Sequence, residues 1–326
     1  MSAPYLLRLV CLSLVSFFLV NALAGLLASL ASQRAIRIVE RTRARSAARF
    51  LLGVRLLGPV LGIAVMLRLC MPSYLRFEPL AESERMGWLC LALAACGASG
   101  WMISIIRAVR AGAKSVRLTR TWQHKSRENA PTGENSGAVV VERNAPLLAL
   151  AGAFLPRLVI SRSVLRALSA EELEVALEHE NAHRNSRDNL KRLLLLLTPD
   201  PLPFVQDFSV LEQSWMRFSE WAADDEATRG SSERAILLAA ALVRVARMGA
   251  TQKLSYLHTS LLSRNEDLRA RVNRLLAPDP PPASSFAPGW SRAAVGSLFF
   301  AIGTMIFLTG PAAFAPMYRL LEFFVR

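Results

Sequence analysis

His179-Glu180-Asn181-Ala182-His183 sets two imidazoles one helical turn apart with a carboxylate between them. On a helix, this H-E-x-x-H spacing aims both rings at one ion. The chain has only 4 histidines, so half of them lie in this one pattern. A zinc ion held there would bring a water toward neutral pKa and polarise a substrate carbonyl. Glu180 is turned ~100° from His179 about the helix axis. That keeps it off the ion but within reach of the water, as a general base that passes the proton on to the leaving amine.

Two imidazoles do not complete such a site; it needs a third ligand and a fourth position open to water. Glu220-Trp221-Ala222-Ala223-Asp224 supplies two carboxylates one turn apart with small residues between them. Glu220 is expected as the third ligand. Asp224 is expected to accept the free ring N–H of one histidine, the contact that fixes a ligand's tautomer. Ala222 and Ala223 would let two helices approach closely. Acidic helix residues are mostly solvated, and Asp225 and Glu226 keep that reading; for Glu220 and Asp224 the upstream histidine pair outweighs it.

The elements that must carry these residues are legible nearby. Ser169 with Glu172 forms a capping box, and residues 170–185 contain no Pro or Gly, which predicts a helix with Glu172, Ala176, His179 and His183 on one face. Residues 204–229 predict a second helix stopping at Gly230. Upstream, 138–142, 148–153 and 157–161 are short β-prone runs. A free edge of that small sheet would suit an extended peptide, read by backbone pairing. Residues 122–137 are polar with Pro131, Gly133 and Gly137 and predict a loop, leaving His124 solvated. The run Leu193–Leu197 is too short to span a bilayer and fits either a buried core helix or an in-plane membrane contact. Further helices are predicted over 232–247 and 267–276, and Pro278-Asp279-Pro280-Pro281-Pro282 reads as a stiff spacer. His258 and Arg271 are downstream candidates for an oxyanion stabiliser, though an arginine more often pairs a carboxylate.

Hydrophobic residues make up 52% of the 326, against a net charge of +14, a balance that allows either membrane or nucleic acid. The position of the charges decides between them. Uncharged stretches over 9–33, 87–106 and 293–318 are long enough to span, and 50–71 is a fourth span interrupted by Arg55 and Arg68, both placed to snorkel. Arg34, Arg37, Arg41, Arg43, Arg45 and Arg49 follow the first span against Glu40 alone, so that loop is expected in the cytoplasm. Arg107, Arg110, Lys114, Arg117 and Arg120 place the region after the third span on the same side. No aromatic-basic interleaving or zinc-finger spacing accompanies the charge, so no nucleic-acid partner is expected and the bilayer is. Ala22-Leu23-Ala24 resembles a signal-peptide cleavage site, but the apolar stretch is too long and its basic flank too weak, which favours a retained anchor. Cys11, Cys70, Cys90 and Cys96 fall in the spans as packing residues rather than a disulfide framework.

Three spans, then H-E-x-x-H and E-x-x-x-D, then a closing span resembles the antirepressor membrane metallopeptidases of the β-lactam-sensing Bla/Mec type. Leu158-Val159-Ile160-Ser161-Arg162, Ser169-Ala170-Glu171-Glu172-Leu173 and Arg187-Asp188-Asn189-Leu190 resemble that family's local pattern. The resemblance implies His179, His183 and Glu220 as zinc ligands, Glu180 as catalytic base and a protein or peptide substrate. Family members with a sensor continue into an extracellular domain after the fourth span, whereas this sequence stops at Arg326. A stimulus is therefore expected from a regulatory or sensor partner, from the 72–85 loop or from the membrane. Heat-shock and prenyl-protein membrane proteases share both motifs but tend to place spans between them, for which 184–219 is too short.

The expected architecture is a mainly α membrane protein: a membrane region over 1–106, a cytoplasmic zincin-like α+β metallopeptidase domain with a small sheet over 107–289, and a closing span in 290–326. The expected function is a zinc-dependent endopeptidase in a bacterial inner membrane. The alternative is a non-catalytic membrane signalling or scaffold protein that keeps the fold.

Overall fold

Long uninterrupted apolar runs with few helix breakers become three rods in the computed structural model, which describes residues 3–78, 86–129, 138–142, 147–200, 207–248, 258–260, 265–277, 303 and 314–321. The first is α1 (Ala3–Val39). The second joins α2 (Ala44–Val65), a π-helical turn (Met66–Cys70) and α3 (Met71–Phe77). The third is α4 (Trp88–Asn129). All three are long and apolar enough to cross a membrane. Leu23, Leu27 and Leu30 on α1 and Met102, Ile103 and Val109 on α4 face outward, an apolar band that suits lipid better than water. The expected span over 293–318 lies outside the described residues, apart from Gly303 and the helical residues 314–318.

Local chemistry moves three boundaries. Residues 72–77 were expected to open a loop, yet the helix continues through Pro72. In the π turn the Met71 N–H reaches back to Met66 O, and the shifted ladder accommodates a residue with no N–H to donate. Residues 122–129, expected as loop, continue α4, which runs unbroken across the anticipated boundary at 106/107. Arg55 does not snorkel: it is 4% exposed and pairs with Asp200 and with Glu212 (3.1 Å), because an arginine inside a bundle gains more from a carboxylate than from a distant headgroup.

α1 and α2 meet through glycines one turn apart, the small-residue contact of membrane helices. A Cβ on Gly62 would lie 2.8 Å from the Phe17 ring and 3.1 Å from Phe17 O, and one on Gly58 would lie 2.7 Å from Asn21 Oδ1. Gly62→Val is therefore expected to push the helices apart at a cost of about 1–3 kcal/mol, read as a lower unfolding temperature in detergent. An unchanged temperature would show that the helices do not approach this closely.

Beyond α4, β1 (Ala138–Val141), β2 (Leu148–Ala151) and β3 (Arg157–Ser161) form as expected. A short β4 (His258–Ser260), not anticipated, completes the order β1-β3-β2-β4. β1 runs parallel to β3 with Ala138 opposite Leu158, β2 antiparallel to β3 with Leu148 opposite Ile160, and β4 antiparallel to β2 with Ala149 opposite Ser260. β4 covers the outer side of β2, which leaves β1 and β4 as the edge strands of the described sheet. Alternation along the strands sends Leu148 and Ile160 into a core with Val164, Val175, Ala176, Leu238 and Leu242, and sends Ala149 and Val159 into a smaller one behind the sheet.

Five helices complete the site region: α5 (Arg162–Ala167), α6 (Ala170–Ser186), α7 (Asp188–Leu197), α8 (Asp207–Thr228) and α9 (Ser232–Arg247), followed by α10 (Asn265–Leu275). α8 has two working faces. Leu211, Trp215 and Phe218 pack with Ile36, Val39, Ala47 and Leu51 of the membrane rods, while Ala227 joins the core under α6.

Candidate metal centre

α6 carries the histidine pair because its start is locked. Ser169 Oγ accepts from Glu172 N (3.2 Å) and Glu172 Oε2 accepts from Ser169 N (2.9 Å), the reciprocal capping box. Its end is set by Arg187 at φ 54° and ψ 41°, a left-handed conformation that costs a non-glycine residue roughly 1–2 kcal/mol. That reversal turns the chain directly into α7 and brings Asp188 back beneath the motif.

His179, His183 and Glu220 converge, all buried, with ligand atoms within 4.8 Å of one another. The two Nε2 atoms are 3.2 Å apart, and each lies 3.6 Å from a Glu220 oxygen. A tetrahedral ion with bonds of about 2.1 Å separates its ligand atoms by roughly 3.4 Å, so the triangle has the right size. Ring chemistry agrees. His183 Nδ1 is 2.7 Å from Asp188 Oδ2, and His179 Nδ1 is 3.0 Å from Asp224 Oδ1, with its N–H bent off the ideal line. With His183 Nδ1 hydrogen-bonded to Asp188 and His179 Nδ1 facing Asp224, both Nε2 atoms are turned toward the same point. The three groups together could hold a metal ion.

Glu180 is fully buried, and neither of its carboxylate oxygens has a hydrogen-bond partner among the described residues. Burial pushes its pKa up to about 7, against the pull of His179 and His183. A carboxyl that titrates near neutrality beside an ion site is matched to moving a proton. For His183, burial disfavours charge, but Glu220 and Asp188 outweigh it and hold the pKa at about 10. Those anions favour any cation at that point, a metal ion included. Despite burial, which works the other way, Glu220 is held well below the usual carboxylate range by His183, His179 and Arg271. Asp224 is lowered to about 2, with Arg271 the main charge opposing its burial.

All five expected site residues are thus brought together: His179, Glu180 and His183 from α6, Glu220 and Asp224 from α8. Of the two small residues between Glu220 and Asp224, Ala223 is buried and Ala222 packs toward the membrane rods. Two further residues join the five: Asp188, to which the sequence reading gave no role, and Arg271, named there as an oxyanion candidate, which instead pairs carboxylates, the alternative already weighed for it. Asp188 anchors His183 and is itself held by Ser219 Oγ (2.8 Å) and Lys191 Nζ (2.8 Å); its only signal was a carboxylate just past the end of the motif helix. Arg271, 1% exposed, grips Asp224 through Nε (2.9 Å) and one terminal nitrogen (2.6 Å), and its other terminal nitrogen lies 3.1 Å from Glu220 Oε2. One turn on, Arg274 pairs with Asp225 and covers the Trp221 ring, so α10 is clasped to α8. His258 contributes backbone pairing to β4.

Replacing Asp188 with Ala removes the acceptor of the His183 Nδ1–H and is expected to weaken metal affinity about 10–100-fold. Chelator competition on the purified chain measures this; unchanged affinity would mean that Asp188 does not orient the ring. Comparison with known proteins finds no matching family model, no matching curated protein and no matching solved structure, so the reading of this centre rests on its geometry.

Proposed function

We propose that this chain is a membrane-anchored zinc-dependent endopeptidase that hydrolyses a peptide bond of a cytoplasmic or membrane-proximal protein, a signalling regulator being the kind of substrate the family resemblance suggests. The observation that carries the reading is the meeting of a two-nitrogen, one-carboxylate donor triangle with a partnerless buried carboxyl beside it. His179, His183 and Glu220 would hold zinc, the ion that this ligand set with an open fourth position suits best. Zinc so held would supply a Lewis acid and an acidified water. Glu180 accepts the proton and delivers it to the leaving nitrogen. Asp188 and Asp224 keep both Nε2 atoms turned inward, and Arg271 keeps Asp224 and Glu220 from repelling each other. The run of arginines from Arg34 to Arg49 supports a cytoplasmic catalytic face and, with it, an inner-membrane location.

Comparing the proteins of cells carrying the wild-type chain with those carrying Glu180→Gln tests the reading directly. Fragments present only with the wild type are the expected outcome. A zinc-loaded wild-type chain that generates none would make the protein a metal-binding scaffold.

A further inference from the structure

α7 packs along α4, and its Leu195 reaches the cluster formed by α1, α2 and α8. At its foot, Asn21 Nδ2 donates to Pro199 O (3.2 Å), a Cβ on Gly100 would sit 3.6 Å from Pro199 Cβ, and Asp200 pairs with Arg55 and with Arg107 (2.6 Å). Asn21, Arg55 and Gly100 are interior positions of α1, α2 and α4 respectively. At its head, Asp188 lines a cavity of about 300 Å³ with Arg45, Arg49, Asn185 and Ser219, beside the first turns of α2. The 10 residues of α7 cover about 15 Å at ~1.5 Å per residue, or about half of a ~30 Å hydrocarbon core.

α8 makes the return journey antiparallel to α2. Glu212 meets Arg55 (3.1 Å) deep in the bundle, Arg217 meets Glu40 (3.2 Å) at the corner between α1 and α2, and Glu226 meets Arg45 just beyond it. Glu220 therefore stands at the height of that corner, where the basic residues that suit lipid headgroups cluster. Among the described residues that follow α7, at 198–200, the exposed groups are answered by protein, as non-helical backbone at membrane depth requires. Thr198 O accepts from Arg107 (3.1 Å), Pro199 O accepts from Asn21, and Asp200 lies between two arginines. Leu195 is buried against the rods while Leu194 is 43% exposed, the division expected of a helix with one side on protein and one on lipid.

We propose that α7 and the first half of α8 form a re-entrant membrane hairpin, which sets the metal centre at the bilayer surface and makes its substrates peptide bonds in juxtamembrane segments of membrane-bound proteins. The depth rests on contacts alone; the substrate class rests also on the peptidase reading. The core-helix and in-plane alternatives open for Leu193–Leu197 both give way to this placement.

The full chain, with exposed Cys96 replaced by Ser and single cysteines placed by Glu174→Cys, Asn185→Cys or Leu194→Cys, would be spin-labelled in phosphatidylcholine–phosphatidylglycerol vesicles. Collision with oxygen and with a water-soluble nickel chelate then reads depth. The expected order is an aqueous label at 174, a headgroup label at 185 and a label inside the hydrocarbon at 194. Leu196→Cys replaces Leu194→Cys if the latter fails to retain metal. A label at 194 or 196 as open to the nickel reagent as that at 174 overturns the hairpin whatever the enzyme does. Mapping the fragments that need Glu180 tests the substrate class: cuts beside membrane anchors support it, cuts in soluble proteins without anchors overturn it, and a complete absence of cuts overturns the peptidase reading while leaving the depth measurement standing.

Discussion

Glu180→Gln is expected to lower turnover by roughly 10²–10⁴-fold, the range a positioned general base supplies, while the chain still binds its metal. The amide has nearly the carboxylate's shape, so the fully buried pocket is not emptied, and none of the three ligands His179, His183 and Glu220 is altered. What disappears is a group that can take up a proton near neutral pH, the property that burial confers on Glu180 by raising its pKa to about 7. The carboxyl has no other duty among the described residues, since neither of its oxygens has a hydrogen-bond partner there. Metal content measured alongside cleavage separates the cases. Loss of both would make Glu180 a structural prop for the site, and cleavage at the wild-type rate would remove it from the chemistry.

Stripping the metal is expected to have the largest effect on stability. Two imidazole Nε2 atoms 3.2 Å apart beside a buried carboxylate form a cluster that exists only in the folded chain, so an ion bound there stabilises the native state by linkage. At a free metal concentration about 1,000 times the dissociation constant, the stabilisation is about 4 kcal/mol. For a domain of about 150–250 residues that amounts to roughly 8–16 °C in unfolding temperature, at about 2–4 °C per kcal/mol. Thermal unfolding in detergent with and without chelator measures it. His183→Ala serves as the control and should unfold at a temperature that no longer responds to chelator. A wild-type chain equally indifferent to chelator would mean that the donor triangle holds no ion.

The local parts of this protein were legible because they depend on neighbours in sequence. The capping box at Ser169, the histidine spacing on α6, the carboxylate spacing on α8 and the limits of β3 and α9 follow from helical and strand periodicity within a few residues. Apolar runs likewise announced the three rods, two of them uncharged over 9–33 and 87–106 and the other interrupted by Arg55 and Arg68. Glu220 and Asp224 were found because their spacing matches a task that the histidines had already posed.

Everything that depended on where an element docks had to await the tertiary structure. Asp188 and Arg271 reach the centre only because a left-handed Arg187 reverses the chain and because α10 is clasped onto α8; neither event has a periodic signal. Arg55 looked like a residue near the end of a span, yet its partners, Asp200 and Glu212, lie far along the sequence, and pairing over such a distance leaves no trace in local spacing. The five leucines of α7 suit protein and lipid equally well. Their depth was decided by Asn21, Gly100 and Arg107, whose contacts with residues 198–200 exist only once the rods and the hairpin have packed together. Sequence thus determined which groups can do chemistry, because reactivity resides in side chains and their spacing. Tertiary packing decided how those groups are charged, held and placed relative to the membrane, because burial and long-range pairing are properties of the assembled fold.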